Sequence, residues 1–111
     1  MNNCFYYVGL DLHKKKIMYC VKKSNGMTVD SGAVESNRRA LRQWAEGLKR
    51  PWIGVMEATI FTGWVHDFLK PYAHELQVAN PLMVRAIVAS KKKSDRIDAE
   101  KLADLSRCDL I

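Results

Sequence analysis

Short hydrophobic runs separated by turn residues predict a group of strands in the first third of the chain. The runs occupy positions 5–10, 17–21 and 28–35. Aromatic and aliphatic side chains, which favour extended backbone, dominate the first two runs. The pair Asn25-Gly26 between the second and third runs is typical of a tight hairpin turn. We therefore expect three antiparallel strands here.

The remaining two thirds of the chain predict helices that alternate with strands. Behind a Ser-Asn pair that can cap a helix, apolar residues recur at helical spacing at Leu41, Trp44, Ala45 and Leu48. The later expected elements are a strand at 52–56, a helix at 62–69, a strand at 75–79, a helix at 81–89 and a helix at 95–107.

This order of elements predicts the fold class. An antiparallel trio of strands followed by two strand–helix units gives a mixed five-stranded sheet with helices on both faces. That is the α/β architecture of ribonuclease H-like domains. In open sheets of this kind, ligands bind where the carboxyl ends of the central strands meet.

Composition and charge narrow the function classes. With 111 residues, we expect a single domain over 1–111. The formal net charge of +6 favours a polyanionic partner such as nucleic acid. No apolar run approaches the roughly 18 residues that a membrane span needs. Three scattered cysteines and the lack of a secretion signal at the first residue positions favour a reducing, cytoplasmic location.

Four acidic residues occupy positions that suit a metal-dependent site. Asp11 and Glu57 each follow a predicted buried strand, so we expect them to meet at one sheet edge. Asp95 and Asp98 are three residues apart on a predicted helix and would project from one face of it. Carboxylates are the ligands that Mg²⁺ or Mn²⁺ prefers, and two such ions, bridged by Asp11, can hold the attacking and leaving oxygens of a phosphoryl transfer.

Basic residues flank these acids in the sequence. They are Lys14, Lys15, Lys91, Lys92, Lys93 and Arg96. We expect them to neutralise phosphates of a nucleic acid held at the acids, without reading its bases. His13, two residues after Asp11, is either a surface side chain or a contact to substrate or metal.

Each acid also has a purely structural interpretation. Asp95 can be a helix N-cap with Asp98 completing a capping-box-like pair, Asp11 can be a turn residue, and Glu57 can be an acid in the first turn of a helix. Under that interpretation the domain is a non-catalytic module that binds nucleic acid with its basic face.

Four segments carry a resemblance to a known family. They are 7–15, 54–59, Asn80-Pro81 and 93–99. Together they resemble the N-terminal domain of DEDD insertion-sequence transposases, which are relatives of the Piv DNA invertase. The resemblance implies a fold similar to the RuvC Holliday-junction resolvase and magnesium binding by Asp11, Glu57, Asp95 and Asp98. The implied activity is the cleavage and joining of DNA strands.

The same resemblance implies partners for the domain. Members of that family also carry a C-terminal domain with a nucleophilic serine, and some are guided to DNA by a structured RNA. The expectation is therefore the acidic half of a composite recombinase site, within a longer homo-oligomeric transposase and inactive in recombination by itself. A junction-resolving nuclease of the same fold, with water as the nucleophile, is the alternative.

Overall fold

A five-stranded mixed sheet forms the centre of the computed structural model, which describes residues 5–80, 82 and 98–108. The strands are β1 Tyr6–Leu12, β2 Lys16–Lys23, β3 Thr28–Glu35, β4 Trp52–Glu57 and β5 Glu75–Ala79, and the helices are α1 Arg38–Glu46, α2 Thr62–Leu69 and α3 Ala99–Arg107.

The sheet has the strand order β3-β2-β1-β4-β5. The first three strands of the chain pair antiparallel, whereas β4 pairs parallel with both β1 and β5. The predicted α/β class, with a mixed sheet of ribonuclease H-like type, is confirmed. The predicted helix at 81–89 lies outside the described residues.

The turn between β2 and β3 is the predicted Asn-Gly hairpin. Gly26 has a φ of +93°, a conformation that glycine adopts without strain. The side-chain Oδ1 of Asn25 accepts a hydrogen bond of 2.9 Å from the backbone N–H of Met27. These local contacts set the register of the two strands.

One face of the sheet is covered by α1 and α2. Alternate residues of β1 (Val8, Leu10 and Leu12) project into this core. Helix α1 begins after Asn37, whose Oδ1 accepts a hydrogen bond of 2.8 Å from the N–H of Ala40. The helices contribute Leu41, Ala45, Val65 and Leu69.

The opposite face is covered by α3, which lies very close to β1. A side chain at Gly9 would collide with the carbonyl oxygen of Ala99, and its Cβ would lie 2.7 Å from the backbone nitrogen of Ala103. The helix backbone therefore rests on the strand backbone at this glycine. A second, smaller apolar cluster completes the layer and consists of Val55, Ala79, Leu102 and Leu105.

The structure corrects the predicted start of the last helix. Asp98 has extended backbone angles (φ −117°, ψ 178°), and its Oδ1 accepts a hydrogen bond of 3.0 Å from the N–H of Lys101. Asp98 is thus the N-cap of α3. The prediction of one helix that carries both Asp95 and Asp98 on one face is wrong at Asp98, because the capping bond requires non-helical backbone there. Asp95 lies outside the described residues.

Replacing Gly9 with alanine is expected to destabilise the domain by about 1–3 kcal/mol or more, because the new methyl group has no space beneath α3. Urea denaturation would measure this change. Gly63→Ala is the matched control: a Cβ at Gly63 meets nothing within 4 Å, and alanine favours the helix. Equal stability of the Gly9 variant and the wild type would contradict the close docking of α3.

Candidate metal-binding site

Asp11 and Glu57 lie side by side on adjacent parallel strands. Leu10 of β1 pairs with Met56 of β4, and the two acids are the next residues on each strand. Strands in a sheet lie about 4.8 Å apart, and residues at the same level project from the same face. Because Gly9, two residues before Asp11, faces α3, both acids are on the α3 face.

The strands extend further than the hydrophobic runs suggested. Asp11 pairs with Met18, and Glu57 pairs with Ala79, so each acid lies within its strand and not beyond it. The reason is that neighbouring strands continue to offer hydrogen-bond partners past the last apolar residue. The acids are held by the ladder, which fixes their direction more firmly than a loop would.

Asp98 approaches the same face from the first turn of α3. It lines an open groove of about 570 Å³ together with Asp11. The other residues along the groove are Met18, Tyr19, Cys20, Thr28, Ser31, Gly32, Ala99 and Glu100. Burial raises the pKa of the Cys20 thiol, so this group stays protonated at neutral pH in the metal-free protein.

Glu57 has a carboxylate oxygen that the described part of the protein leaves unsatisfied. Its Oε2 is buried and has no hydrogen-bond partner within residues 5–80, 82 and 98–108. The backbone after Glu57 is held by Thr62, whose Oγ1 donates to the Glu57 carbonyl at 3.3 Å. A buried carboxylate oxygen without a partner is unfavourable, and a bound cation would remove that cost. This feature fits a divalent metal.

His13 is exposed and contacts Asp11, an arrangement that the sequence analysis did not describe. Its Nε2 lies 3.1 Å from Oδ2 of Asp11, whose side chain is only 15% exposed. The backbone N–H of His13 donates to the carbonyl of Lys16 at 3.0 Å and closes the turn between β1 and β2. The histidine therefore orients the carboxylate of Asp11 from the solvent side.

The other predicted site residues divide into two groups. Lys14 and Lys15 are exposed in the turn next to Asp11. Outside the described residues lie Asp95, Lys91, Lys92, Lys93 and Arg96. Within the described ranges, no group of three or more His, Cys, Asp or Glu side chains is close enough to hold a metal ion. The structure thus brings Asp11, Glu57 and Asp98 to one face without closing a complete ligand set.

Lys22 supports the site in a way that the sequence analysis missed. Its side chain is buried, and its Nζ lies 2.9 Å from both carboxylate oxygens of Asp104 and 3.3 Å from Oε2 of Glu100. Arg107 contacts Asp104 as well, at 3.3 Å, and donates to the carbonyl of Ser24. These ion pairs attach α3 to β2. The sequence offered two signals for these ion pairs: a lysine next to an apolar strand, and two acids four residues apart on a helix.

The carboxylates also govern the ionisation of Lys22. Burial alone lowers its pKa, but the hydrogen bonds and charges of Asp104 and Glu100 outweigh burial and raise the pKa above the usual 10.5. The ammonium is therefore charged throughout the neutral range.

Comparisons with known proteins identify the family. The family model DEDD_Tnp_IS110, described as Transposase, matches residues 8–110. The chain therefore belongs to the DEDD transposase family. Its class is that of DNA transposition proteins with an α/β fold of ribonuclease H-like type.

One solved structure with partial similarity to this chain is a utilization protein. The ethanolamine utilization protein EutJ from Carboxydothermus hydrogenoformans aligns with a TM-score of 0.48 and 13% identity, over 76% of this chain and 40% of the EutJ chain. A search of curated proteins found no match. Among the described residues, no helix has the length and apolar character needed to cross a membrane.

Replacing Lys22 with methionine is expected to lower the free energy of unfolding by about 1–3 kcal/mol, because methionine fills the space but cannot bind the carboxylates. Since folding raises the pKa of Lys22, its contribution is fully present below about pH 10.5 and is lost as the pH rises through the folded-state pKa. Denaturant titrations at several pH values would show the difference between variant and wild type shrinking in strong alkali.

Lys23→Met is the control for this experiment. Lys23 is the next residue on β2 and is exposed, so its replacement should leave stability nearly unchanged at every pH. If both variants lose the same stability, the ion pairs of Lys22 do not hold α3.

Proposed function

We propose that this domain is the acidic, metal-binding half of the active site of a DNA transposase or site-specific recombinase, acting in strand cleavage and transfer. The observation that carries the proposal is the placement of Asp11 and Glu57 side by side on one sheet face, with a buried and unsatisfied oxygen on Glu57. Membership of the DEDD transposase family supplies the reaction class.

The residues that would hold the metal are the four acids of the sequence pattern. Asp11, Glu57 and Asp98 would bind Mg²⁺ or Mn²⁺ from the described part of the domain, and Asp95 would complete the set. Two bound ions would polarise the scissile phosphate and stabilise the leaving oxygen.

The protein's own groups have separate tasks in this scheme. The strand ladder holds Asp11 and Glu57 in fixed positions, and the contact from His13 orients the Asp11 carboxylate. Glu57 is half-buried, and its Oε2 is shielded from water. Phosphate charge would be neutralised by Lys14, Lys15, Lys91, Lys92, Lys93 and Arg96.

The proposal includes partners outside this chain. Residues 1–111 would be the N-terminal, RuvC-like part of a longer transposase whose C-terminal domain supplies a serine nucleophile. The full-length protein would act on DNA in the cytoplasm as a homo-oligomer, and a guide RNA of the kind that some family members use would be a further partner where the element supplies one. Membership of the transposase family supports the DNA partner.

If Glu57 binds a metal, the effect of Glu57→Gln on stability should differ between the metal-free and the metal-bound protein. Without metal, the variant should be as stable as the wild type or more stable, because a neutral amide is less costly to bury than an unpaired carboxylate. With saturating Mn²⁺, the wild type should gain a few degrees in Tm, and Glu57→Gln and Asp11→Asn should lose most of that gain. Thermal unfolding with EDTA or with MnCl₂ measures both effects.

Glu46→Gln is the charge-matched control. Glu46 is exposed at the end of α1, on the opposite sheet face, so this variant should keep the full response to manganese. A Glu57→Gln variant that is destabilised in EDTA and still responds fully to Mn²⁺ would show that Glu57 has a structural role instead.

A further inference from the structure

Two arginines of α1 make cation–π contacts with two aromatic rings of α2. The guanidinium carbon of Arg38 lies 5.0 Å from the ring centroid of Trp64, and that of Arg42 lies 5.9 Å from the ring centroid of Phe68. The two arginines are four positions apart on α1, and the two aromatic residues are four positions apart on α2, so the contact repeats after about one helical turn. The two rings also pack edge to face, with their centroids 6.3 Å apart.

The charges of these arginines are not neutralised within the described part of the protein. Both side chains belong to exposed residues, and neither takes part in an ion pair among residues 5–80, 82 and 98–108. Arg39 adds a third exposed guanidinium. The exposed acid on α2, Asp67, is instead 3.5 Å from His66. The surface therefore carries excess positive charge.

Helix stability does not account for this concentration of arginine. The first turn of α1 contains Arg38 and Arg39 and no acidic residue. Positive charge at this end opposes the helix dipole, at a cost of about 0.3–1 kcal/mol for each charge. A leucine or methionine would cover the rings of α2 without that cost. An anionic partner would turn the same charges into a favourable contact.

The cation–π geometry suits a phosphate backbone. Each guanidinium lies over a ring and takes part in no ion pair among the described residues, so its N–H groups remain for phosphate oxygens. The ring contact also restricts the long side chain before binding, so less entropy is lost when a phosphate is held. The half-buried rings of Trp64 and Phe68 add flat apolar area between the charges.

This surface is separate from the candidate metal-binding site. Helices α1 and α2 pack on the sheet face that receives Val8 and Leu10, whereas Asp11 and Glu57 are on the α3 face. The sheet lies between the two regions. A nucleic-acid segment bound on one sheet face therefore does not contact the binding region on the other face.

We propose that the Arg–aromatic surface, made of Arg38, Arg39, Arg42, Trp64 and Phe68, binds the phosphodiester backbone of a DNA segment that does not enter the metal site. DNA is the partner because the chain belongs to a transposase family and because a uniformly charged polyanion matches the unpaired arginines. The contact is independent of sequence and of divalent metal.

The test measures the affinity of the 111-residue protein for a fluorescent DNA duplex of about 30 base pairs in EDTA, over a range of NaCl concentrations. The double variant Arg38→Met/Arg42→Met keeps apolar cover on the rings but removes two charges. Its affinity should fall about tenfold or more at low salt. The slope of log K against log salt should become shallower by about 1.8, the value for two lost phosphate contacts.

Lys23→Gln/Lys49→Gln is the control, since it removes the same charge from two exposed lysines outside this surface. This control should lose only a small part of the DNA affinity, and its slope of log K against log salt should stay close to that of the wild type. Equal losses in both double variants would overturn the proposal, and so would a loss confined to an RNA duplex of equal length. Circular dichroism confirms that each variant is folded, and Arg38→Gln/Arg42→Gln replaces the methionine variant if it is not.

The manganese response provides a readout for the other site. Both double variants should keep the full rise in Tm with MnCl₂, because neither changes the α3 face. If the arginine variant does not weaken DNA binding while the wild type responds normally to manganese, the proposal for the Arg–aromatic surface fails and the proposed metal site does not.

Discussion

The backbone contact between α3 and Gly9 is the constraint on which the α3 face depends. Because position 9 has no side chain and the facing residues, Ala99 and Ala103, are small, the helix lies directly on the central strand. Its first turn consequently lies beside Asp11, and Asp98 reaches the same groove. A larger residue at any of these three positions would move the helix away from the sheet and separate the acids.

Charge is divided unevenly around this helix. The acids of the helix itself, Glu100 in its first turn and Asp104 one turn further on, are matched by Lys22 and Arg107, and these ion pairs attach the helix to β2. On the α3 face, acids gather from two strands and the helix cap. His13 contacts Asp11 and the N–H of Lys101 donates to Asp98, whereas Oε2 of Glu57 has no hydrogen-bond partner in the described ranges. The helix is thus fixed by paired charges beside a carboxylate oxygen that has no partner among the described residues.

The sequence predicted those features that depend on local patterns. The elements at 28–35, 62–69 and 75–79 agree with the structure because turn residues or prolines delimit them. The adjacency of Asp11 and Glu57 followed from two strands that end at one sheet edge. The burial of Lys22 was missed, because its partners are 78 and 82 residues away in the sequence and local patterns alone do not pair them. The extended backbone conformation of Asp98 was also missed, because the sequence does not distinguish an aspartate that caps a helix from one inside it.

Strand alternation also fixes the relation between the two proposed binding regions. In β1 the residues that face α3 alternate with those that face α1 and α2, so both regions are built on one rigid sheet. A DNA molecule that contacts both must therefore pass an edge of the sheet. Strand β3 is the edge whose residues line the groove beside Asp11, and α1 packs against the same strand. A path over β3 passes exposed hydroxyls such as that of Ser31, which can contact phosphate without base specificity.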